Sequence, residues 1–291
     1  MKQKDVLVGM WGDGANDCKA LKSADIGLSL SEAEASIAAP FTSLKSNISP
    51  LITLLSEGKS SLWVTFQLFQ MIFLCAVIQT SGVFIMYYLN TDFSDIQFWY
   101  IDILILFPLS FFIAMTHPPK KLTHKVPFSS LFCFPVLLSI SWQCILHISM
   151  MAAMLWVLNH QDWFFPILVD VDEDLDVSYE NSTLFLFSNL QYISTFFAYN
   201  VSKPFMKPMY TNLTLTISII VTLGISYYII LEPSDDVKDL LDLTYFPYEF
   251  RYILIIGTII DFLLSFLLEK VLIKAFSDCW EKRKVHPKGY I

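Results

Sequence analysis

A short loop near the start of the chain combines two aspartates, two glycines and an asparagine, in the order Gly12-Asp13-Gly14-Ala15-Asn16-Asp17. An apolar run over residues 6 to 11 precedes it and an amphipathic segment over residues 16 to 24 follows, which predicts strand, turn and helix. Glycines let a loop approach a small charged group closely, and Asp13 and Asp17 can hold Mg²⁺ that keeps some of its waters. The loop therefore indicates phosphate chemistry, although a polar turn without chemistry is the commoner meaning of a lone Gly-Asp-Gly.

The composition of the chain is that of a membrane protein. Of its 291 residues 55% are hydrophobic and only 16% are charged, whereas soluble proteins average about 25% charged. A bilayer span needs about 20 apolar residues. Six stretches meet that need and predict six membrane helices: 60–91, 98–116, 128–158, 184–202, 213–231 and 247–273.

Charge in the connecting loops predicts the orientation of these helices. Residues 117–127, residues 203–208 and the tail 276–291 are basic, so we expect them on the cytosolic side of the lipid bilayer. Residues 159–183 and 232–246 are acidic, so we expect them to face a lumen or the exterior. Both termini are then cytosolic. No basic stripe with interleaved aromatic residues is present, so nucleic acid is not an expected partner.

Five cysteines show no paired spacing, and we expect reduced thiols rather than a disulfide or zinc framework. Asn181-Ser182-Thr183 matches the acceptor pattern for N-glycosylation in a loop that we place on the luminal side, although the following helix lies close to it.

Carboxylates at bilayer depth are functional candidates, because burying their charge costs several kcal/mol. Asp102 and Asp261 are of this kind, and a tilted hairpin could bring Gln79 to the same cavity as Asp102. The alternative for Gln79 is an interhelical hydrogen bond, and for Asp261 we expect a structural pair with a neighbouring helix. Aromatic residues near Asp102 suit an organic ammonium, whereas an interfacial belt is the expected role of Trp99 and Tyr100.

Residues 10 to 30, Met-Trp-Gly-Asp-Gly-Ala-Asn-Asp-Cys-Lys-Ala-Leu-Lys-Ser-Ala-Asp-Ile-Gly-Leu-Ser-Leu, resemble a motif of the P-type ATPases. The resemblance implies a phosphorylation domain of haloacid-dehalogenase type, a doubly wound parallel sheet. It implies Asp13 and Asp17 as Mg²⁺ ligands, Asn16 and Asp17 as catalytic residues that orient the phosphorylated aspartate, and Gly12 and Gly14 as the phosphate loop. ATP is the implied substrate, bound mostly outside this chain.

Gly-Ala-Asn-Asp-Cys at 14–18, together with Ser-Leu-Ser-Glu at 29–32 and Pro-Phe-Thr-Ser at 40–43, narrows the resemblance to the type V, subtype B branch. Members of this branch export polyamines from the lumen of endosomes and lysosomes to the cytosol. The resemblance implies that Gln79 and Asp102 contribute to the substrate site. A pump for an inorganic cation, or a non-catalytic membrane fragment that modulates a partner, are the alternatives.

Residues 1–45 are predicted to be the last piece of the phosphorylation domain, 46–60 a linker, 61–275 the six-helix membrane domain and 276–291 a tail. The sequence has no Asp-Lys-Thr-Gly phosphorylation motif and no Thr-Gly-Glu actuator motif. We therefore expect the C-terminal part of a transporter, inactive alone and requiring the remaining N-terminal portion as its partner.

Overall fold

The computed structural model describes residues 8–13, 15–30, 39–45, 47–125, 127, 130–165, 177–200 and 203–273. The chain divides into two compact units. The first comprises Met1–Ser61 with Pro118–Val126, and the second comprises Leu62–His117 with Pro127–Ile291.

The first unit contains a three-stranded parallel sheet of β1 (Gly9–Gly12), β2 (Ile26–Ser29) and β3 (Phe41–Thr42), in the order β1-β2-β3. A 3₁₀ turn, Ala15–Asp17, leads into helix α1, Cys18–Ser23, which connects β1 to β2. The strand, turn and helix predicted around the Gly-Asp-Gly loop are therefore present. Apolar residues of this unit pack together: Leu21, Ala39, Met10 and Cys18.

Helix α2, Ser49–Tyr88, is 40 residues long and includes most of the segment predicted as a linker. In its first part the Lys59 ammonium donates to the carbonyl oxygens of Thr123 and Lys125, at 2.8 and 3.2 Å. These bonds hold the basic segment 118–126 against the start of the helix, within the first unit.

The remaining helices of the second unit follow the predicted apolar stretches closely. They are α3 (Asp95–Trp99), a π-helical segment (Tyr100–Leu106), α4 (Phe107–Ala114), α5 (Phe134–Asn159), α6 (Tyr179–Tyr199), a 3₁₀ turn (Met209–Thr211), α7 (Leu213–Leu231), α8 (Asp235–Leu240), α9 (Tyr248–Leu267) and a second π-helical segment (Leu268–Ile273). Within the described residues, five helices are long and apolar enough to cross a membrane: Ser49–Tyr88, Asp95–Ala114, Phe134–Asn159, Leu213–Leu231 and Tyr248–Val271.

Helix α6 corresponds to the predicted span 184–202, which is not among these five helices. It lies at the centre of the second unit. It packs against α5, α7 and α9, and nearly all of its 21 residues are buried. Its buried face includes many polar side chains, among them Asn189, Gln191 and Thr195. Those side chains explain why α6 is less apolar than the five helices, since neighbouring helices rather than lipid surround it.

Trp99 and Tyr100, both expected in the interfacial belt, differ in exposure in the second unit. The expected belt role of Tyr100 is wrong, because the residue is buried and its ring packs edge-on against Phe185, with 5.6 Å between ring centroids. Trp99, by contrast, is 64% exposed, as a residue in a belt would be. The described cysteines, Cys18, Cys75, Cys133 and Cys144, form no disulfide with one another.

The glycosylation acceptor Asn181 is fully buried. Its side-chain oxygen accepts a hydrogen bond of 2.8 Å from Gln97 Nε2, and its side-chain nitrogen donates to the carbonyl of Asp92. This folded site has no room for a glycan. Three parts of the sequence-based predictions lie outside the described residues: Gly14, residues 166–176 of the acidic segment 159–183, and the tail 276–291.

Candidate functional site

The Gly12–Asp17 loop begins at the carboxyl end of β1. The N–H of Leu30 donates to the carbonyl of Gly12 at 2.9 Å, which fixes the end of the strand. The Asp17 side chain folds over Gly12 so closely that a Cβ on Gly12 would lie 2.5 Å from Asp17 Oδ2. Gly12 is therefore required by the close approach of the Asp17 carboxylate.

The polar side chains of this loop are available to a ligand. Asp13 and Asn16 are exposed and Asp17 is half-buried. Asp17 directly precedes α1, yet its carboxylate forms no capping hydrogen bond. Two carboxylates that accept no hydrogen bond from the described residues fit Mg²⁺, which usually takes one or two protein carboxylates and retains several waters. Among the described residues no group of three or more potential metal ligands occurs, so further ligands would be water or phosphate.

We expect Gly12→Ala to displace the Asp17 carboxylate, because the new methyl group would overlap it. The strain should destabilise the first unit by about 1–3 kcal/mol. Gly9→Ala in the same strand is the matched control, since nothing lies within 4 Å of a Cβ there. Amide hydrogen exchange of β1 and β2 in the two variants measures the difference, and equal protection in both would contradict this geometry.

The second predicted site, at Asp102 and Gln79, is only partly assembled. Asp102 lies in the π-helical segment Tyr100–Leu106, where the N–H of Phe107 donates to the Asp102 carbonyl five residues back. Such segments inside α-helices often occur at functional sites. Asp102 is exposed and Gln79 is half-buried, and no hydrogen bond joins them to each other or to another side chain in the described part of the chain.

A buried polar network lies elsewhere, between α5, α6 and α9. His147 Nδ1 is 3.0 Å from Asp261 Oδ1, and both side chains are buried. Gln191 Nε2 donates to Asp261 Oδ1 at 3.1 Å and to the carbonyl of His147 at 3.0 Å. The structural pair expected for Asp261 is thus confirmed. The sequence analysis missed His147 as its partner, although polar residues four apart on α5, Ser139, Gln143 and His147, could have indicated it.

The fold and these sites together define a polytopic helical membrane protein with a small parallel α/β unit. No family model matches the chain. Comparison with curated proteins finds Vacuolar cation-transporting ATPase YPK9 of Saccharomyces cerevisiae, 32% identical over 292 residues, or 100% of this chain and 19% of that protein. Polyamine-transporting ATPase 13A2 of Homo sapiens is 33% identical over 99% of this chain and 24% of its own length. Polyamine-transporting ATPase 13A3 of Mus musculus is 32% identical over 93% of this chain and 24% of its own length.

The similarity to these ATPases extends over nearly the whole chain. It confirms the resemblance to the P-type ATPases that the Gly-Asp-Gly loop indicated. The chain belongs to the type V, subtype B branch of that superfamily, with the cation- and polyamine-transporting ATPases as its homologues. The chain spans between 19% and 24% of the length of the relatives named here.

Proposed function

We propose that this chain forms part of an ATP-driven transporter that moves a polyamine-like organic cation from a lumen to the cytosol. The transporter couples ATP hydrolysis to this movement by forming an aspartyl-phosphate. The observation that carries the proposal is its similarity, over nearly its whole length, to ATPases named for polyamine transport. The activity belongs to the full-length protein, and the chain contributes the magnesium loop and part of the transport path.

In the proposed mechanism Asp13 and Asp17 hold Mg²⁺ beside the phosphoryl group, while Asn16 and Asp17 orient the phosphorylated aspartate. Bound Mg²⁺ supplies positive charge where the phosphoryl oxygens become more negative. Gly12 lets the Asp17 carboxylate approach the backbone of the loop, and Gly14 completes the phosphate loop. The free carboxylates of Asp13 and Asp17 and the close approach at Gly12 support these roles.

We further infer that α6 crosses the membrane in addition to the five apolar helices. We also infer that the sheet of the first unit is a piece of a haloacid-dehalogenase-like phosphorylation domain. The five apolar helices and the burial of α6 among its neighbours support this arrangement. With the basic segments 117–127 and 203–208 in the cytosol, both termini are cytosolic. Endosomal or lysosomal membranes are the proposed location.

The proposed substrate site contains Asp102 and Gln79. The Asp102 carboxylate is exposed on its helix, where it could pair with an ammonium group of a cation supplied from the lumen. The aromatic side chains of Phe84 and Tyr87, also exposed at 70% and 65%, suit contact with the same kind of cation.

An inorganic cation is the second candidate substrate, because some homologues are named only as cation-transporting ATPases. A carboxylate and an amide could bind a metal ion as well as an ammonium group. Among the described residues, however, no cluster of three potential metal ligands supports a dedicated metal site.

We expect Asp102→Asn in the full-length protein to raise the KM for spermine by about tenfold to a hundredfold, because a charge-assisted hydrogen bond contributes about 1.5–3 kcal/mol. Asp95→Asn is the matched control, since Asp95 is an exposed carboxylate at the start of the same span. ATP-dependent release of labelled spermine from preloaded vesicles, whose cytosolic face is outward, measures both. An unchanged KM in Asp102→Asn would remove this residue from the substrate site.

A further inference from the structure

Three helices of the second unit each contribute polar side chains spaced four residues apart, so that they lie along facing stripes. The stripes meet in one column, formed by Ser139, Gln143 and His147 of α5, by Gln191, Thr195 and Tyr199 of α6, and by Asp261, Ser265 and Glu269 of α9 and the segment after it. The column extends over nine residues of each helix, or about 12 Å.

The hydrogen bonds around His147 favour its doubly protonated form. Asp261 Oδ1 lies 3.0 Å from His147 Nδ1 and can only accept when it is a carboxylate. On the other side of the ring, Thr195 Oγ1 lies 3.5 Å from His147 Nε2. The single hydroxyl proton of Thr195 is donated to the carbonyl of Gln191 at 2.9 Å, so its oxygen faces the ring as an acceptor. Both ring nitrogens therefore face acceptors, and the imidazolium satisfies both.

Asp261 is held in its charged form by the same contacts. Its Oδ1 receives donors from both His147 and Gln191, whereas its Oδ2 is buried without a partner among the described residues. A carboxylate next to a neutral imidazole would leave one uncompensated negative charge inside the bundle, which is costly. One bound proton removes that net charge.

We propose that His147 and Asp261 form a binding site for a single proton inside the helix bundle, held by Gln191 and Thr195. The site uses neither Gln79 nor Asp102, and it does not depend on which cation the transporter carries. Because the protonated pair is neutral overall and the deprotonated pair is not, its occupancy is coupled to the packing of α5, α6 and α9 around it.

No positively charged side chain of the described part of these helices competes with His147 for Asp261 at close range. Lys270 adjoins Glu269 at the far end of the column, and Arg251 lies ten residues, or about 15 Å, back along α9. The other titratable groups that the three helices bring to this column are Cys144, Tyr199 and Glu269.

The column also provides a polar route from the site toward one end of the bundle. One helical turn beyond the pair, Ser265 Oγ donates to Gln143 Oε1 at 2.9 Å. One turn further, Ser139 Oγ donates to Glu269 Oε2 at 2.6 Å. Glu269 is partly exposed, so this end of the column reaches the surface of the described structure.

The test is the charge state of His147 in the 291-residue chain, reconstituted in lipid nanodiscs and labelled with ¹⁵N-histidine. The chain has five histidines, and His147→Asn identifies the signal of interest. We expect both ring nitrogens of His147 to carry protons at neutral pH. In Asp261→Asn, which removes the negative charge that the imidazolium balances, one of the two ring protons should be lost at the same pH. Asp235→Asn, which removes an exposed carboxylate paired with Lys238, should leave the charge state of His147 unchanged.

Two outcomes would overturn the proposal. A neutral His147 at neutral pH would overturn it, because the imidazolium that the two facing acceptors satisfy would be absent. An Asp261→Asn variant in which both ring nitrogens of His147 still carry protons would also overturn it. If that variant does not fold, the charge state of His147 in the wild-type chain decides alone.

Discussion

Asp13→Asn in the full-length transporter is expected to abolish phosphoenzyme formation. The substitution keeps the shape of the side chain but removes the negative charge that we propose holds Mg²⁺. Loss of charge neutralisation at a phosphoryl group lowers rates by orders of magnitude, so we expect a decrease of at least about a hundredfold. Acid-stable incorporation of label from radioactive ATP in the presence of Mg²⁺ measures it.

Asp236→Asn is the control for this experiment, because Asp236 is exposed on α8 and the substitution changes the charge by the same amount. Its phosphoenzyme level should equal that of the wild type. Normal phosphoenzyme in Asp13→Asn would remove Asp13 from the metal site and would leave the Gly-Asp-Gly loop as a polar turn.

A second large effect is expected at the buried pair of His147 and Asp261 in the second unit. Replacing His147 by Leu leaves the Asp261 carboxylate buried without its cation, and replacing Asp261 by Leu leaves a buried imidazole without its acceptor. Removing one partner of a buried pair typically costs about 3–5 kcal/mol. The double variant should lose less than the two single variants summed, because it leaves neither charge behind.

Unfolding of the four proteins in lipid nanodiscs gives this cycle directly. Leu264→Ala, at a residue of α9 that is 44% exposed in this structure, controls for general effects of substitution in that helix and should cost far less. Strictly additive losses in the double variant would mean that His147 and Asp261 do not interact as the structure indicates.

The loop was predictable from sequence because its requirements are local. Two glycines between a short apolar run and an amphipathic segment already predict strand, turn and helix, and the structure has them. The close approach of Asp17 to Gly12 was not predicted, because it depends on how the turn folds the side chain back over the strand. Any further ligands of the proposed magnesium site were not predictable either, because they would come from segments that share no local pattern with this loop.

The helices of the second unit were predictable from the sequence, but the way in which they pack was not. Apolar length identifies a span, but it does not tell which helix is surrounded by others, and so the burial of α6 and of its polar side chains was not predicted. Tyr100 was misassigned for the same reason, since a tyrosine near a span end looks alike whether it faces lipid or Phe185. The partner of Asp261 depended on the register between α5 and α9, which only the three-dimensional structure supplies.

The most direct test of the proposed function is the ATPase activity of the purified full-length protein with Mg²⁺, compared in the presence of spermine and of inorganic cations. We predict that spermine stimulates hydrolysis in a saturable manner, and that Asp13→Asn shows no stimulation. Stimulation by a metal ion without any response to spermine would contradict the account and would assign the exposed Asp102 carboxylate to an inorganic cation instead.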